Sequence, residues 1–456
     1  MTKQNTRQMT LGNPAGKIIL FTIPLLIGNL FQQFHSIADT FVIGRILGVH
    51  ALAAMGSTGS VFFLVFGFVA GVSTGASMVT AQRFGAQNEA GVRRSVTASV
   101  WICLSFSVIL SIIAIPFSRM ILELMRTPVD IIDDAHSFLV VMYAGMVSFT
   151  LFFLLANVIR ALGDSKTPLI FLIIASLLNI GINCLLILGF GVGVHAVAWG
   201  TLLAQLTSSL LCLLYIKRKM PILHLSKEDW RINREDLVIH LRVALPIGIQ
   251  MSVISIGAVV LQFALNGLGA LAVAAFTTAT RVEQMVVMPL QSFGAAIGTY
   301  TAQNYGAGKI GRISKGVLQC GLLMVGIAVI GSVINIFFGY QLASIFIGGD
   351  ASEVLLMTQL YLRINGLFLV VIAFLFLLRN VIQGLGKGVA ALSSGLMELI
   401  MRLFAALALV RVLEFTGVVW AGPLAWIGAA IPIVAVYIIS MRKMTKGYYN
   451  YKDKNS

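Results

Sequence analysis

The sequence predicts an all-α integral membrane protein, with twelve transmembrane helices arranged as two pseudo-symmetric six-helix bundles. Three observations predict it: a composition too apolar for water, unbroken apolar runs of bilayer length, and an internal repeat with an offset of about 222 residues. The chain is 58% hydrophobic and only 11% charged. A soluble domain carries about 25% charged residues, so lipid is the natural solvent for most of this chain. In hydrocarbon every backbone donor and acceptor must be paired within the protein, which leaves helices or a closed barrel. Barrel strands alternate apolar and polar residues. Runs such as IILFTIPLLIGNLF and LLMVGIAVIGSVINIFF are continuous, and they select helices.

Taken in order, the predicted helices cover 17–43, 51–80, 94–117, 134–161, 167–189, 193–216, 238–267, 271–302, 315–338, 354–384, 388–412 and 417–441. Each is close to the roughly 20 residues that cross a bilayer. Residues 1–15 are polar and the first apolar run is long, so no cleavable signal peptide is expected. An even number of helices puts both termini on one side.

Charge gives the orientation. One set of loops holds Arg83, Arg93, Arg94, Arg160, Lys166, Lys217, Arg218, Lys219, Lys227, Arg231, Arg234, Lys309, Arg312, Lys315 and Lys387. The tail on the same side adds Arg442, Lys443, Lys446, Lys452 and Lys454. The opposite loops hold Arg45, Arg119 and Arg126, with the acids Asp130, Asp133, Asp134, Asp350 and Glu353. Basic loops stay cytoplasmic. The expected organisation is therefore a cytoplasmic segment (1–16), a first lobe (17–216), a cytoplasmic linker (217–237), a second lobe (238–441) and a cytoplasmic tail (442–456). Localisation is expected in the inner (plasma) membrane. The net charge of +15 fits this topology and contact with anionic lipid, and no basic stripe with interleaved aromatics points to nucleic acid. Cys103, Cys184, Cys212 and Cys320 lie in or beside apolar runs without CxxC pairing, so no disulfide or metal site is implied.

The repeat is read from four matches. GVHALAA (48–54) returns as GALAVAA (269–275), AQRFGAQ (81–87) as AQNYGAG (302–308), NVIRALGD (157–164) as NVIQGLGK (380–387), and VAWGT (197–201) loosely as VWAGP (419–423). Pro24 pairs with Pro246 in the same register. Six helices per copy make the copies enter the membrane in the same direction, a known transporter plan. The expected mechanism is alternating access to a central cavity.

The segments IADTFVIGRILGVHALAAMG (37–56), TAQRFGAQN (80–88), RALGDSKTP (160–168) and TAQNYGAGK (301–309) carry a further signal. Together they resemble the multidrug and toxic compound extrusion (MATE) family, in its prokaryotic branches, over about residues 16–440. The resemblance implies secondary active export of organic cations or amphipathic toxic compounds, by antiport with H⁺ or Na⁺. It also implies a monomer with membrane lipids as its surroundings, no cofactor, and no enzymatic activity. The chain has no HExxH, no GxSxG and no clustered Ser/His/Asp set.

Asp39 is the leading candidate. A carboxylate in an apolar membrane helix is costly and marks a functional site by default; the alternative is a cap or anchor at the outer end of the helix, near Gly44 and Arg45. In the family, the acid at this place in the first helix is a coupling site. A group that titrates as its solvent exposure changes would couple a proton to conformation, and an ionised one would hold Na⁺ or a substrate cation. His35 lies one helical turn earlier on the same face, with Gln32 extending the polar stripe. The resemblance adds Asn179 and Asn183 in the fifth helix, Asn157 and Tyr143 in the fourth and Thr201 in the sixth. Family members of archaeal type carry an Asp where this chain has Asn183. With one carboxylate fewer, Asp39, Asn179 and Asn183 equally suit Na⁺, a hard cation that prefers oxygen ligands.

In the second half Arg281, Glu283, Glu398 and Arg402 interrupt apolar helices. Glu398 and Arg402 are spaced to pair directly. Glu283 is expected either to meet substrate or to neutralise a buried arginine. Position 39 maps near Leu261, so the second half lacks the first-helix acid. The alternative function is flipping of a lipid-linked saccharide, which needs a cationic cavity for a pyrophosphate headgroup.

Overall fold

The computed structural model describes residues 8–125, 127–189, 193–347 and 352–453. Arg126, Asp350 and Lys454 lie outside the described residues, as do the side chains of Lys446 and Lys452. Among the described residues there are helices and no strands. The first half contains α1 (Pro14–Ile46), α2 (Gly48–Gly85), α3 (Glu89–Leu124), α4 (Val129–Ala144), α5 (Met146–Ala161), α6 (Lys166–Cys184) and α7 (His195–Lys219). The second contains α8 (Arg234–Asn266), α9 (Ala270–Gly306), α10 (Ile310–Ser344), α11 (Ser352–Leu367), α12 (Leu369–Gly384), α13 (Gly388–Phe404), α14 (Val410–Leu413) and α15 (Phe415–Asp453).

Eight of these are long and apolar enough to cross a membrane alone. Two further spans are broken ones, α4 with α5 bent by 49° and α11 with α12 bent by 53°. The first bend is at Gly145, where a Cβ would lie 1.8 Å from Leu202 Cδ2. Any side chain there would require Leu202 of α7 to move. The two remaining predicted spans are α9, and α13 with α14. Alpha-helical α13 is only 17 residues long and continues through a π-helical turn over Ala405–Leu409.

The sequence repeat is also a backbone repeat. Glycines with positive φ recur at Gly48 and Gly269 (87° and 92°) and at Gly163 and Gly386 (90° and 78°). Gln87 and Gly308, closing the two AQ-x-x-GA loops, have φ of 56° and 68°. The π turn Leu185–Gly189 after α6 corresponds to the one after α13. In each half the second helix packs on the third and fifth: α2 on α3 and α5, α9 on α10 and α12.

The chain forms two compact units, Ile23–Ser252 and Val253–Ser456 with Met9–Thr22. The units exchange inside α1 and α8. In the second unit, Met9 N donates to Gln303 Oε1 (2.9 Å), Lys309 Nζ to the Thr10 carbonyl (3.0 Å) and Arg312 Nη1 to the Gly12 carbonyl (2.9 Å). In the first, Arg83 pairs with Asp236, and Ser95 Oγ bonds His240 Nε2 at 2.7 Å. Each AQ-x-x-GA loop region thus anchors the segment that leads into the first helix of the other repeat. Many large apolar side chains are open on the outside of the helices, including Ile112 at 67% and Phe263 at 82%. In a water-soluble protein such surface would drive association; against acyl chains it is the stable arrangement.

Candidate functional site

Residues of α1, α6 and α7 meet within the first unit. On α1, His35 and Asp39 are one turn apart, and His35 Nε2 lies 3.4 Å from Asp39 Oδ2. The inward face of α6 repeats at helical spacing as Ala175, Ser176, Asn179 and Asn183. It places two amides side by side against α1. Asn183 Nδ2 donates to Asp39 Oδ1 at 3.3 Å. The Asn179 amide is best satisfied with its NH₂ toward Asp39 Oδ1 (3.2 Å) and its oxygen accepting from Thr201 N (2.9 Å) and Oγ1 (3.1 Å). The single Thr201 hydroxyl proton is shared between that oxygen and the Val197 carbonyl at 2.8 Å. Both asparagines are 1% exposed, and the Asp39 and His35 side chains 17% and 19%.

Gly200 makes this approach possible. A Cβ on Gly200 would stand 1.9 Å from Asn183 Oδ1. The motif VAWGT thereby contributes a glycine for the close contact of α7 with α6, beside the threonine that holds Asn179. Among the described residues, two buried polar atoms at the site have no hydrogen-bond partner, His35 Nδ1 and Asn183 Oδ1. Such atoms rarely remain unsatisfied. Beside a carboxylate, they supply lone pairs for a proton or a small hard cation.

The structure does not bring Asn157, Tyr143 or Gln32 into this cluster. Asn157 Nδ2 donates to Ser73 Oγ (3.2 Å), and its oxygen accepts from Arg160 Nη1 (3.2 Å). Tyr143 is fully buried, donates from its hydroxyl to the Val61 carbonyl (3.2 Å) and lies against Phe62. The reason is the break at Gly145: α4 and α5 pack on α2 and α3, and their polar side chains are used there. Gln32 is exposed.

The second unit holds a buried charge network instead. Glu398 is bridged by Arg379 Nη2 at 2.9 Å and by Arg402 Nη2 at 3.0 Å. Arg379 Nε also donates to Ser394 Oγ (3.1 Å). By the repeat offset of NVIRALGD and NVIQGLGK, Arg402 occupies the place of Asn179, Glu398 that of Ala175 and Arg379 that of Ala156. Glu283 Oε2 accepts from the Tyr361 hydroxyl at 3.1 Å, Oε1 has no hydrogen-bond partner among the described residues, and the carboxylate interacts electrostatically with Arg402. Arg281 is exposed on the same helix. Sequence reasoning found the Glu398–Arg402 pair but missed Arg379 and Tyr361. The signal for Arg379 was available, since one repeat has an arginine where the other has an alanine.

The MatE family model matches twice, over residues 24–185 and 246–407, which are the two repeats. The chain is 31% identical over 338 residues to the probable multidrug resistance protein YoeA of Bacillus subtilis, covering 72% of each chain. It is 24% identical over 428 residues to the multidrug export protein MepA of Staphylococcus saprophyticus, covering 92% of this chain and 93% of the relative. Among solved structures, the outward-facing conformation of a multidrug resistance MATE transporter of the MOP superfamily superposes with a TM-score of 0.89 at 24% identity, over 97% of this chain and 99% of the other.

Proposed function

The chain belongs to the MATE family, in its prokaryotic branch, and from that membership we propose that it exports organic cations and amphipathic toxic compounds across the plasma membrane in exchange for entering H⁺ or Na⁺. Both termini are cytoplasmic in this reading, and one chain suffices for transport by alternating access. One observation supports the assignment of the coupling site: a membrane-helix carboxylate, Asp39, held by the amides of Asn179 and Asn183 with His35 against its other oxygen. Buried ionisable groups in membrane helices mark ion pathways and relays. Binding of the ion and of the substrate are then linked by a coupling free energy, and the linkage is reciprocal. An ion drives the cycle only if it binds the two access states with different affinity. A partly enclosed carboxylate whose partners come from a neighbouring helix gains that property when helix shifts between the two states change its ligands.

A saccharide-lipid flippase needs open cationic charge for pyrophosphate. Arg379 and Arg402 are both engaged by Glu398, so these two do not provide it.

Transport of ethidium into everted vesicles, with proton and sodium gradients imposed separately, tests the proposal. Accumulation is expected when one of these ions is concentrated in the vesicle lumen. Accumulation indifferent to both gradients would remove the antiport assignment. Gly200→Ala adds a geometric test. The new methyl displaces Asn183 from Asp39, and loss of a supporting ligand typically costs roughly 10–100-fold in ion affinity. The ion concentration for half-maximal transport should rise accordingly with the protein still folded; an unchanged ion dependence would separate Asn183 from coupling.

A further inference from the structure

The linker between the repeats folds back onto α3 and makes a second place of interest in the first unit. Trp101 of α3 and Trp230 of the linker form an edge-to-face pair with ring centroids 6.3 Å apart. Each remains open, at 43% and 42% exposure. Beside them is a shallow, open surface cleft lined by Arg94, Trp101, Arg231, Asn233 and Asp236, among others.

Its depth follows from α3 itself. Arg94, Trp101, Val108, Ile112 and Arg119 recur at helical spacing on one face, and all are exposed. Arg94 and Arg119 bound an apolar stripe. At 1.5 Å per residue they are about 37 Å apart, close to the hydrocarbon core plus part of each headgroup layer. Trp101 lies about 10 Å inward of Arg94 on the same rule, which is aromatic-belt depth. Arg94 and the cleft therefore lie at headgroup level, facing lipid.

The charge balance favours an anion. Arg94 Nε lies 3.4 Å from Asp236 Oδ2, but the side chain is half exposed, and Asp236 is also taken by Arg83. Arg93 Nε lies 3.4 Å from Asp229 Oδ2. The guanidinium of Arg231 has no ion-pair or hydrogen-bond partner among the described residues. Four arginines thus face two aspartates, and Lys227 and Arg234 offset Glu228 and Glu235. Asn233 accepts from Glu235 N through Oδ1 (2.9 Å), leaving its NH₂ free to donate. Planar guanidinium groups suit phosphate oxygens, and basic pockets at this level bind lipid headgroups.

We propose that this cleft binds the phosphodiester headgroup of an anionic membrane phospholipid, with Arg94 and Arg231 on the phosphate and Trp101 and Trp230 flanking the glycerol. The inference rests on the chain being a membrane protein and not on the export reading. Native mass spectrometry of the full-length protein, delipidated in detergent and titrated with phosphatidylglycerol, phosphatidylcholine or inorganic phosphate, tests it. Phosphatidylglycerol adducts should form in preference to phosphatidylcholine. They should weaken roughly ten- to thirtyfold in Arg94→Gln/Arg231→Gln, the scale of two basic groups at a membrane surface. Arg231→Gln alone, which removes no protein contact, should weaken them several-fold. Arg218→Gln/Lys219→Gln carries the same charge change on exposed residues and should leave them intact. Equal weakening in that control would reduce the effect to diffuse charge and overturn the proposal. So would displacement of the lipid by inorganic phosphate at equal strength, which would make the occupant a free anion.

Discussion

Asp39→Asn is expected to abolish ion-driven export while the protein still reaches the membrane. Asparagine is nearly isosteric, and its oxygen can still accept from Asn183, so the contact between α1 and α6 survives. The charge does not. An amide neither exchanges a proton near neutral pH nor balances Na⁺, so the free-energy coupling between ion and substrate is lost. Such couplings are typically about 1–3 kcal/mol, or roughly 5–150-fold in affinity. Ethidium efflux from cells and gradient-driven accumulation in everted vesicles should both fall to the background seen without the protein, at equal protein level. His35→Asn separates two roles for the histidine. Export should persist if His35 only orients the carboxylate, and should fall with Asp39→Asn if the pair shares a proton. Unaltered ethidium export by Asp39→Asn would end the coupling assignment.

The largest loss of stability is expected at Glu398. Its side chain is 6% exposed and bridges two arginines, of which Arg379 is 7% exposed and Arg402 17%. Hydrogen bonds between membrane helices average only about 0.6 kcal/mol. Stranding a buried charge is a different matter and costs about 3–5 kcal/mol. Glu398→Ala leaves buried Arg379 without its counter-ion and Arg402 with only the more distant Glu283, and should lower the thermal unfolding temperature in detergent sharply. Arg402→Gln should cost less, because Glu398 keeps Arg379 and the lost group was partly exposed. Replacing Arg379, Glu398 and Arg402 together with leucine should recover most of the loss, since apolar substitutes for a whole buried ionic set are often neutral. If Glu398→Ala unfolds at the wild-type temperature, the network is not structural.

Part of the candidate site was legible along the chain because its signals are local. Asp39 stands out as a carboxylate in an apolar run, with His35 one helical turn before it. Asn179, Asn183 and Thr201 were brought in by the resemblance to the family. Asn157 and Tyr143 have the same polar character, yet the structure gives them to Ser73, Arg160 and Val61. Spacing says which face of a helix a residue occupies, but not which neighbour that face meets. The break at Gly145 turns α4 relative to α5, and no period within either helix reports it.

By itself the sequence determined the solvent, the helical class, the twelve segments and the duplication. Each of these follows from the cost of exposing backbone to hydrocarbon and from the register of repeated motifs, both of which are properties of short stretches of chain. Only the tertiary structure decided which polar side chains share a partner. It joined Asp39 to the amides of α6, exposed the need for glycine at position 200, and added Arg379 to the Glu398–Arg402 pair. These contacts link residues from 17 to 144 positions apart. Their energies depend on distance and burial in three dimensions, and no local pattern encodes them.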